Sequence, residues 1–167
     1  MSKKENVILS LGSNIGNRKK FIEDAIIEIE NIFQSEVRKS SFYETEPWGF
    51  DAEVSFLNCC ISFFSSCNPK EILKATQKIE IELGRVKKSK NSNYQPRVID
   101  IDILYVGQLK VNEEDLTIPH PLIYDRSFVL TPLVELYPHL IDPVKKASVS
   151  QLFEQCNDDN KVILYEK

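Results

Sequence analysis

The chain has 167 residues, 21 basic and 25 acidic side chains, a net charge of −4 and a 42% hydrophobic fraction, which fits one globular core and predicts a single domain over residues 1–167. No apolar run approaches the roughly 20 residues that a membrane-spanning helix needs, and the acidic balance argues against a broad nucleic-acid or anionic-membrane surface. Met1 to Asn6 is polar and leads into only a short apolar run, unlike a secretory leader, so a cytoplasmic protein is expected.

In chain order, Val7 to Leu11 reads as a buried strand ending at Gly12. Ser13 to Asn17 then turns the chain into a helix from about Arg18 to Phe33, with Phe21, Ala25, Ile29 and Ile32 on its inner face. The Gly12 to Asn17 turn invites comparison with a phosphate loop, but it lacks the Gly-Lys-Ser/Thr ending, and an Asn or Ser cap on the helix is the better reading. A second strand is predicted over Val37 to Tyr43, followed by a breaker-rich loop at Glu46 to Phe50 and a third strand over Phe56 to Phe64. Within that strand, Phe56 and Asn58 share a face, where a ring can stack on a planar ligand and an amide can read its edge, or where both can serve packing alone. Cys59 and Cys60 lie in the same apolar run and have no zinc-like spacing, so packed, reduced thiols are expected.

Pro69 opens a second helix that steps through Ile72, Leu73, Thr76, Ile79, Glu80 and Leu83 to a stop at Gly84. Arg85 to Gln95 is polar and rich in Lys and Asn, with no apolar pattern; a loop of this length suits a binding loop. The run Pro96-Arg97-Val98-Ile99-Asp100-Ile101-Asp102-Ile103-Leu104 follows. Strand alternation sends Asp100 and Asp102 to one face with Val98, Leu104 and Val106, and Ile99, Ile101, Ile103 and Tyr105 to the other. Two carboxylates about 7 Å apart can share hard cations, and the alternative is the solvated edge of an ordinary strand. Gly107-Gln108 predicts a hairpin turn into Leu109 to Val111, Ile118 to Pro121 a rigid extended connector, Ser127 to Leu136 a helix, Ser148 to Cys156 a short helix, and Val162 to Tyr165 a closing strand. Helices crossing over strands predict an α+β fold with helices on one side of a sheet.

Lysine is the default cation here, sixteen against the five arginines Arg18, Arg38, Arg85, Arg97 and Arg126. Guanidinium is the better bidentate clamp for phosphate, so Arg85 and Arg97, which bracket the loop beside the acidic pair, suggest a polyphosphate with bound Mg²⁺. His120, between two prolines, is held in a fixed loop.

Taken together and in order, Leu11 to Arg18, Ser41-Phe42-Tyr43-Glu44-Thr45, Phe56-Leu57-Asn58, Ile79-Glu80 with Leu83-Gly84-Arg85, Pro96-Arg97-x-x-Asp100-x-Asp102, and Ile118-Pro119-His120-Pro121 with Arg126-x-Phe128 resemble the 6-hydroxymethyl-7,8-dihydropterin pyrophosphokinases over about residues 7 to 138. The resemblance implies a ferredoxin-like α+β sandwich with a mixed, mostly antiparallel sheet, and transfer of pyrophosphate from ATP to the hydroxymethyl oxygen of the pterin, releasing AMP. It further implies that Asp100 and Asp102 hold two Mg²⁺ ions and that Arg85 and Arg97 act on the transferring group. By the same likeness Thr45, Trp48, Phe56, Asn58 and Phe128 form the pterin pocket, while Glu80, Lys87, Arg97, Ile103, Thr117, His120 and Arg126 face ATP. The loops at Glu46 to Val54 and Lys87 to Gln95 would close over the substrates. The partners implied are these two small molecules, with no nucleic acid, no membrane and a monomeric enzyme. Two departures stand out: Gln95 where the family usually has Gly, and Phe56 where Tyr is also familiar. A ferredoxin-like RNA-binding module or a ligand-binding regulatory domain is the competing class, and neither would consume ATP.

Overall fold

The computed structural model describes residues 2–45, 55–84 and 98–166. Among the described residues, eight strands and four α-helices follow one another as β1 (Glu5–Ser13), α1 (Arg18–Phe33), β2 (Arg38–Lys39), β3 (Tyr43–Thr45), β4 (Phe56–Ser65), α2 (Pro69–Gly84), β5 (Asp100–Val106), β6 (Val111–Asn112), β7 (Thr117–Ile118), α3 (Ser127–Leu136), α4 (Val149–Gln155) and β8 (Val162–Leu164), with a 3-10 turn at Ile123–Asp125 before α3.

The main sheet runs β5-β1-β4-β3-β8, with β2 also paired to β4. All its pairings among the described residues are antiparallel, so the expected mixture of directions is not found there. Central strands β1 and β4 bury both faces, as their nearly unbroken apolar sequences require.

The helices lie on both faces of the sheet, not on one side as expected. Val7, Leu9, Leu11, Leu57, Cys59, Ile61, Ile101 and Ile103 pack with Ile22, Ala25 and Ile29 of α1 and Ile72 and Ile79 of α2. On the reverse, Ile8, Cys60, Leu104 and Tyr105 pack with Val129, Leu130 and Leu133 of α3 and Val149 and Leu152 of α4. Cys59 and Cys60 thus enter different cores, both as free thiols. Burial pushes the Cys59 thiol up to about 12 and the Cys60 thiol well above its ordinary range, which suits packing and not reactivity. The inner stripe of α1 starts at Ile22 in place of Phe21, and Ile32, expected inside, is 42% exposed.

Two bulges set the register that matters for function. From Lys39↔Ile61 to Tyr43↔Asn58 the chain takes four steps against three on β4, so the predicted Val37 to Tyr43 strand is split into β2 and β3. Ile8↔Tyr105 is followed by Leu9↔Ile103, which leaves Leu104 as the extra residue of β5. The simple alternation therefore fails beyond Ile103: Leu104 and Tyr105 both enter the α3 core, while Val106 joins the α1/α2 core. Gly107, at φ +52°, makes the predicted turn, but β6 pairs with β7 and no β5–β6 hairpin forms among the described strands.

Candidate active site

Asp100 and Asp102 keep the same face despite the bulge, because Leu104 lies downstream of both. They are half-buried at the N-terminal end of β5, with Asp100 opposite Gly12 and Asp102 opposite Ser10. The same β1 residues face β4 on their other side, Gly12 against Asn58 and Ser10 against Cys60. One cross-strand row therefore reads Asp100, Gly12, Asn58 and Tyr43 across β5, β1, β4 and β3. With strands about 4.8 Å apart, the backbones at Asp100 and Asn58 stand about 10 Å from each other.

Gly12 leaves the space in that row that the Asn58 carboxamide leans into. It sits inside β1, not past its end as expected, and a Cβ there would come within 2.8 Å of Asn58 Oδ1. Its requirement is close approach of a side chain; the turn itself is made by Gly16, at φ +61°. Asn17 supplies the predicted helix cap, its side chain accepting from the Lys20 N–H at 3.1 Å.

Asn58 is 3% exposed and donates through Nδ2 to Thr45 Oγ1 at 3.0 Å. Thr45 pairs with Phe56, so Thr45, Phe56 and Asn58 are brought together at the end of the β3–β4 ladder. Tyr43 reaches from the same row to α3, its hydroxyl donating to Glu135 Oε2 at 2.6 Å, while the Ser41 N–H and hydroxyl donate to Glu135 Oε1 at 3.0 and 2.9 Å. Burial and the Glu135 carboxylate push the Tyr43 phenol up to about 12, so it stays a donor at neutral pH.

The α3 side brings the complementary groups. Arg126, the residue before α3, places Nη1 4.0 Å from Asp102 Oδ2, and its guanidinium carbon lies 5.5 Å from the centre of the Phe128 ring. His120 is anchored to the bulge, its backbone N–H donating to the Leu104 carbonyl at 3.1 Å, and its Nδ1 accepts from the Leu122 N–H at 3.2 Å. Burial lowers the His120 pKa and Arg126 lowers it further, against the opposing pull of Asp102, so the ring is neutral at pH 7 with Nε2 left to donate.

Three residues expected on the nucleotide side have these placements. Glu80 Oε1 accepts the Ile101 N–H at 2.7 Å, binding α2 to the backbone between the two aspartates. Ile103 turns its side chain into the α1/α2 core, away from the acidic face. Thr117 lies half-buried in β7, paired with Asn112. Trp48, Arg85, Lys87 and Arg97, with both expected closing loops, lie outside the described residues. Gly12 and the Tyr43–Glu135 link are the site features that sequence reasoning passed over; the Gly12 signal was a glycine inside an otherwise apolar strand.

Among the described residues no group of three or more His, Cys, Asp or Glu side chains stands together as a metal cage. Two half-buried carboxylates on one strand face match the way Mg²⁺ is held, by one or two protein carboxylates with phosphate and water completing an octahedron.

The family model of the 7,8-dihydro-6-hydroxymethylpterin pyrophosphokinases, HPPK, matches residues 8–138. The chain belongs to the HPPK family. A Porphyromonas gingivalis 2-amino-4-hydroxy-6-hydroxymethyldihydropteridine pyrophosphokinase is 43% identical over 135 residues, 80% of this chain and 92% of that protein. The Bacillus subtilis protein of the same name is 38% identical over 144 residues, 86% and 84% of the two chains. The Pneumocystis carinii folic acid synthesis protein fol1 is 41% identical over 161 residues, and there the HPPK chain spans only 21% of the relative's length. In shape, the crystal structure of wild-type Plasmodium falciparum HPPK-DHPS superposes with a TM-score of 0.71 at 15% identity, over 93% of this chain and 45% of that one. This supports the α+β fold, and the HPPK match covers every residue of the acidic row.

Proposed function

We propose that this single-domain chain transfers pyrophosphate from ATP to the hydroxymethyl oxygen of 6-hydroxymethyl-7,8-dihydropterin, releasing AMP, as a monomeric, Mg²⁺-dependent cytoplasmic enzyme of folate synthesis. The observation that carries the reading is the row Asp100, Gly12, Asn58, in which an acidic group and an amide flank a glycine that puts no side chain between them. A planar ligand against Phe56, Asn58 and Thr45 has its reacting end toward the aspartates, where a polyphosphate would lie. Among the described residues, none touching this row is a free general base: His120 is neutral and tied through Nδ1. Such a site works by positioning and charge neutralisation, which phosphoryl-group transfer favours.

Asp100 and Asp102 would hold the metal, two ions in our reading, and Mg²⁺ there supplies neutralisation of the phosphate oxygens. Arg126, 4.0 Å from Asp102, is placed to turn to phosphate, and neutral His120 offers Nε2–H as a donor. Phe56 and Phe128 would stack on the pterin, with Trp48 lining its pocket. Glu80 and Thr117 join the ATP side, Ile103 through its backbone, together with Arg85, Lys87 and Arg97.

The test is AMP production from ATP, followed with and without 6-hydroxymethyl-7,8-dihydropterin and with and without Mg²⁺. AMP should appear only when all three are present. AMP release that ignores the pterin, or none at all, overturns the reading.

A further inference from the structure

Arg18 stands at the first position of α1, outside the acidic row, and is paired with a carboxylate of β3. Its Nη1 donates to the Ser55 carbonyl at 2.6 Å and lies 2.8 Å from Glu44 Oε1, with only 16% of its side chain exposed. Its guanidinium carbon also lies 5.8 Å from the centre of the Tyr165 ring, just beyond β8. The two acceptors are significant for where they sit. Glu44 precedes Thr45, the last paired residue of β3, and Ser55 precedes Phe56, its partner and the first residue of β4. One guanidinium therefore joins the two strands across the point where the chain leaves the sheet and where it returns.

At that junction Arg18 adds to the Asn58–Thr45 hydrogen bond and to the pairing of β3 with β8. The β3–β4 ladder is three pairs long, from Tyr43↔Asn58 to Thr45↔Phe56, and the ends of short ladders are where local opening is easiest. Glu44 lies opposite Leu57, whose side chain is in the α1/α2 core, so Arg18 grips the ladder from that side while Thr45, Phe56 and Asn58 face the site. A planar guanidinium with several fixed N–H directions suits such a two-strand clamp better than a flexible ammonium. We propose that Arg18 is a positioning residue for the pterin half of the site, setting the separation of Thr45 and Phe56 from behind the sheet. It touches no substrate in this scheme. The inference rests on the pterin reading of those residues given above.

Its signature is a split between the two ligands, because β1 lies between β4 of the clamp and the acidic edge of β5. Arg18→Met should bind 6-hydroxymethylpterin about tenfold more weakly than the wild type, since small displacements of positioning groups carry penalties of that size or larger. Binding of Mg²⁺-ATP should stay within about twofold. Glu44→Gln should shift pterin binding in the same direction by less. Pterin binding is read by equilibrium dialysis with its own fluorescence and ATP binding by calorimetry, on the full chain. Unchanged pterin affinity in Arg18→Met overturns the clamp, and so do parallel losses for both ligands, which mean general loosening. Should Arg18→Met fail to fold, Arg18→Lys and Glu44→Gln carry the same comparison and the same criteria. A wild type that binds no pterin overturns the functional reading and the clamp with it, whereas wild-type binding matched by the variants removes the clamp alone.

Discussion

A glycine in the second strand of a sheet is an odd place to find a requirement, yet Gly12 has neighbours on both sides and a carboxamide oxygen 2.8 Å from where its Cβ would be. Gly12→Ala must push the Asn58 side chain aside, and because Asn58 is buried and tied to Thr45, the shift breaks that hydrogen bond. The expected result is a selective rise in KM for the pterin, by about tenfold, with ATP binding little changed; steady-state kinetics with each substrate varied in turn is the check. Asp100→Asn and Asp102→Asn keep the shape of β5 and remove the negative charge. Each should lower kcat by at least about a hundredfold while leaving the thermal midpoint close to that of the wild type, and a variant that retains near-normal turnover would contradict the metal role. The aspartate pair was legible in the sequence because a two-residue period is a direct property of strands. The importance of Gly12 was not, because the residue that needs its missing side chain, Asn58, lies on another strand far along the chain.

At the scale of elements, α3 is the counterpart of the sheet's polar row, and Glu135 is how the two are fastened. Burial alone would raise the Glu135 pKa, but donors from Tyr43 and Ser41, with Lys39 nearby, outweigh it and hold the carboxyl below its ordinary value. A carboxylate whose folded pKa is depressed contributes stability that is fully present above its unfolded pKa, 4.5, and is lost as pH falls through the folded value. Glu135→Gln should therefore flatten the acid limb of stability below that pH, and urea midpoints measured from neutral pH downward would show it. A limb as steep as that of the wild type would mean that other carboxylates set it, Asp158 among them, held low by donors from Ser127 and Asn160. Most elements could be read from periodicity and caps: α1, α2, β4 and α3 begin and end close to where the sequence places them. The two bulges could not, since a bulge is a mismatch between two strands and neither strand shows it alone. This is why Tyr105 and Val106 were assigned to the wrong faces while Asp100 and Asp102, upstream of Leu104, were assigned correctly. Helices on both faces were missed for a related reason: the apolar runs of β1 and β4 show burial on two sides but not which helix covers which side.

Over the whole molecule, two cores share one sheet, and the second is closed by a segment beyond residue 138, where the HPPK match ends. Asp142 is the buried pin of that segment. It is 0% exposed and accepts from the Tyr105 hydroxyl at 2.7 Å, the Tyr124 hydroxyl at 2.8 Å and the Val144 and Lys145 N–H groups at 2.8 Å. Removing the carboxylate in Asp142→Ala leaves two phenols, that of Tyr105 buried, and two amides without their acceptor, a loss of about 3 kcal/mol by the usual cost of orphaned buried donors. How that loss is expressed tests the architecture. Tyr105 belongs to β5, the same strand that contributes Ile101 and Ile103 to the opposite core, so the two halves cannot separate without tearing a shared strand. The variant should therefore unfold in urea in a single transition at lower midpoint and unchanged slope, with far-ultraviolet dichroism and tyrosine fluorescence superimposed. A biphasic curve, with the tyrosine signal leading, would show instead that the α3/α4 layer melts as a unit of its own and leaves the α1/α2 layer on an intact sheet.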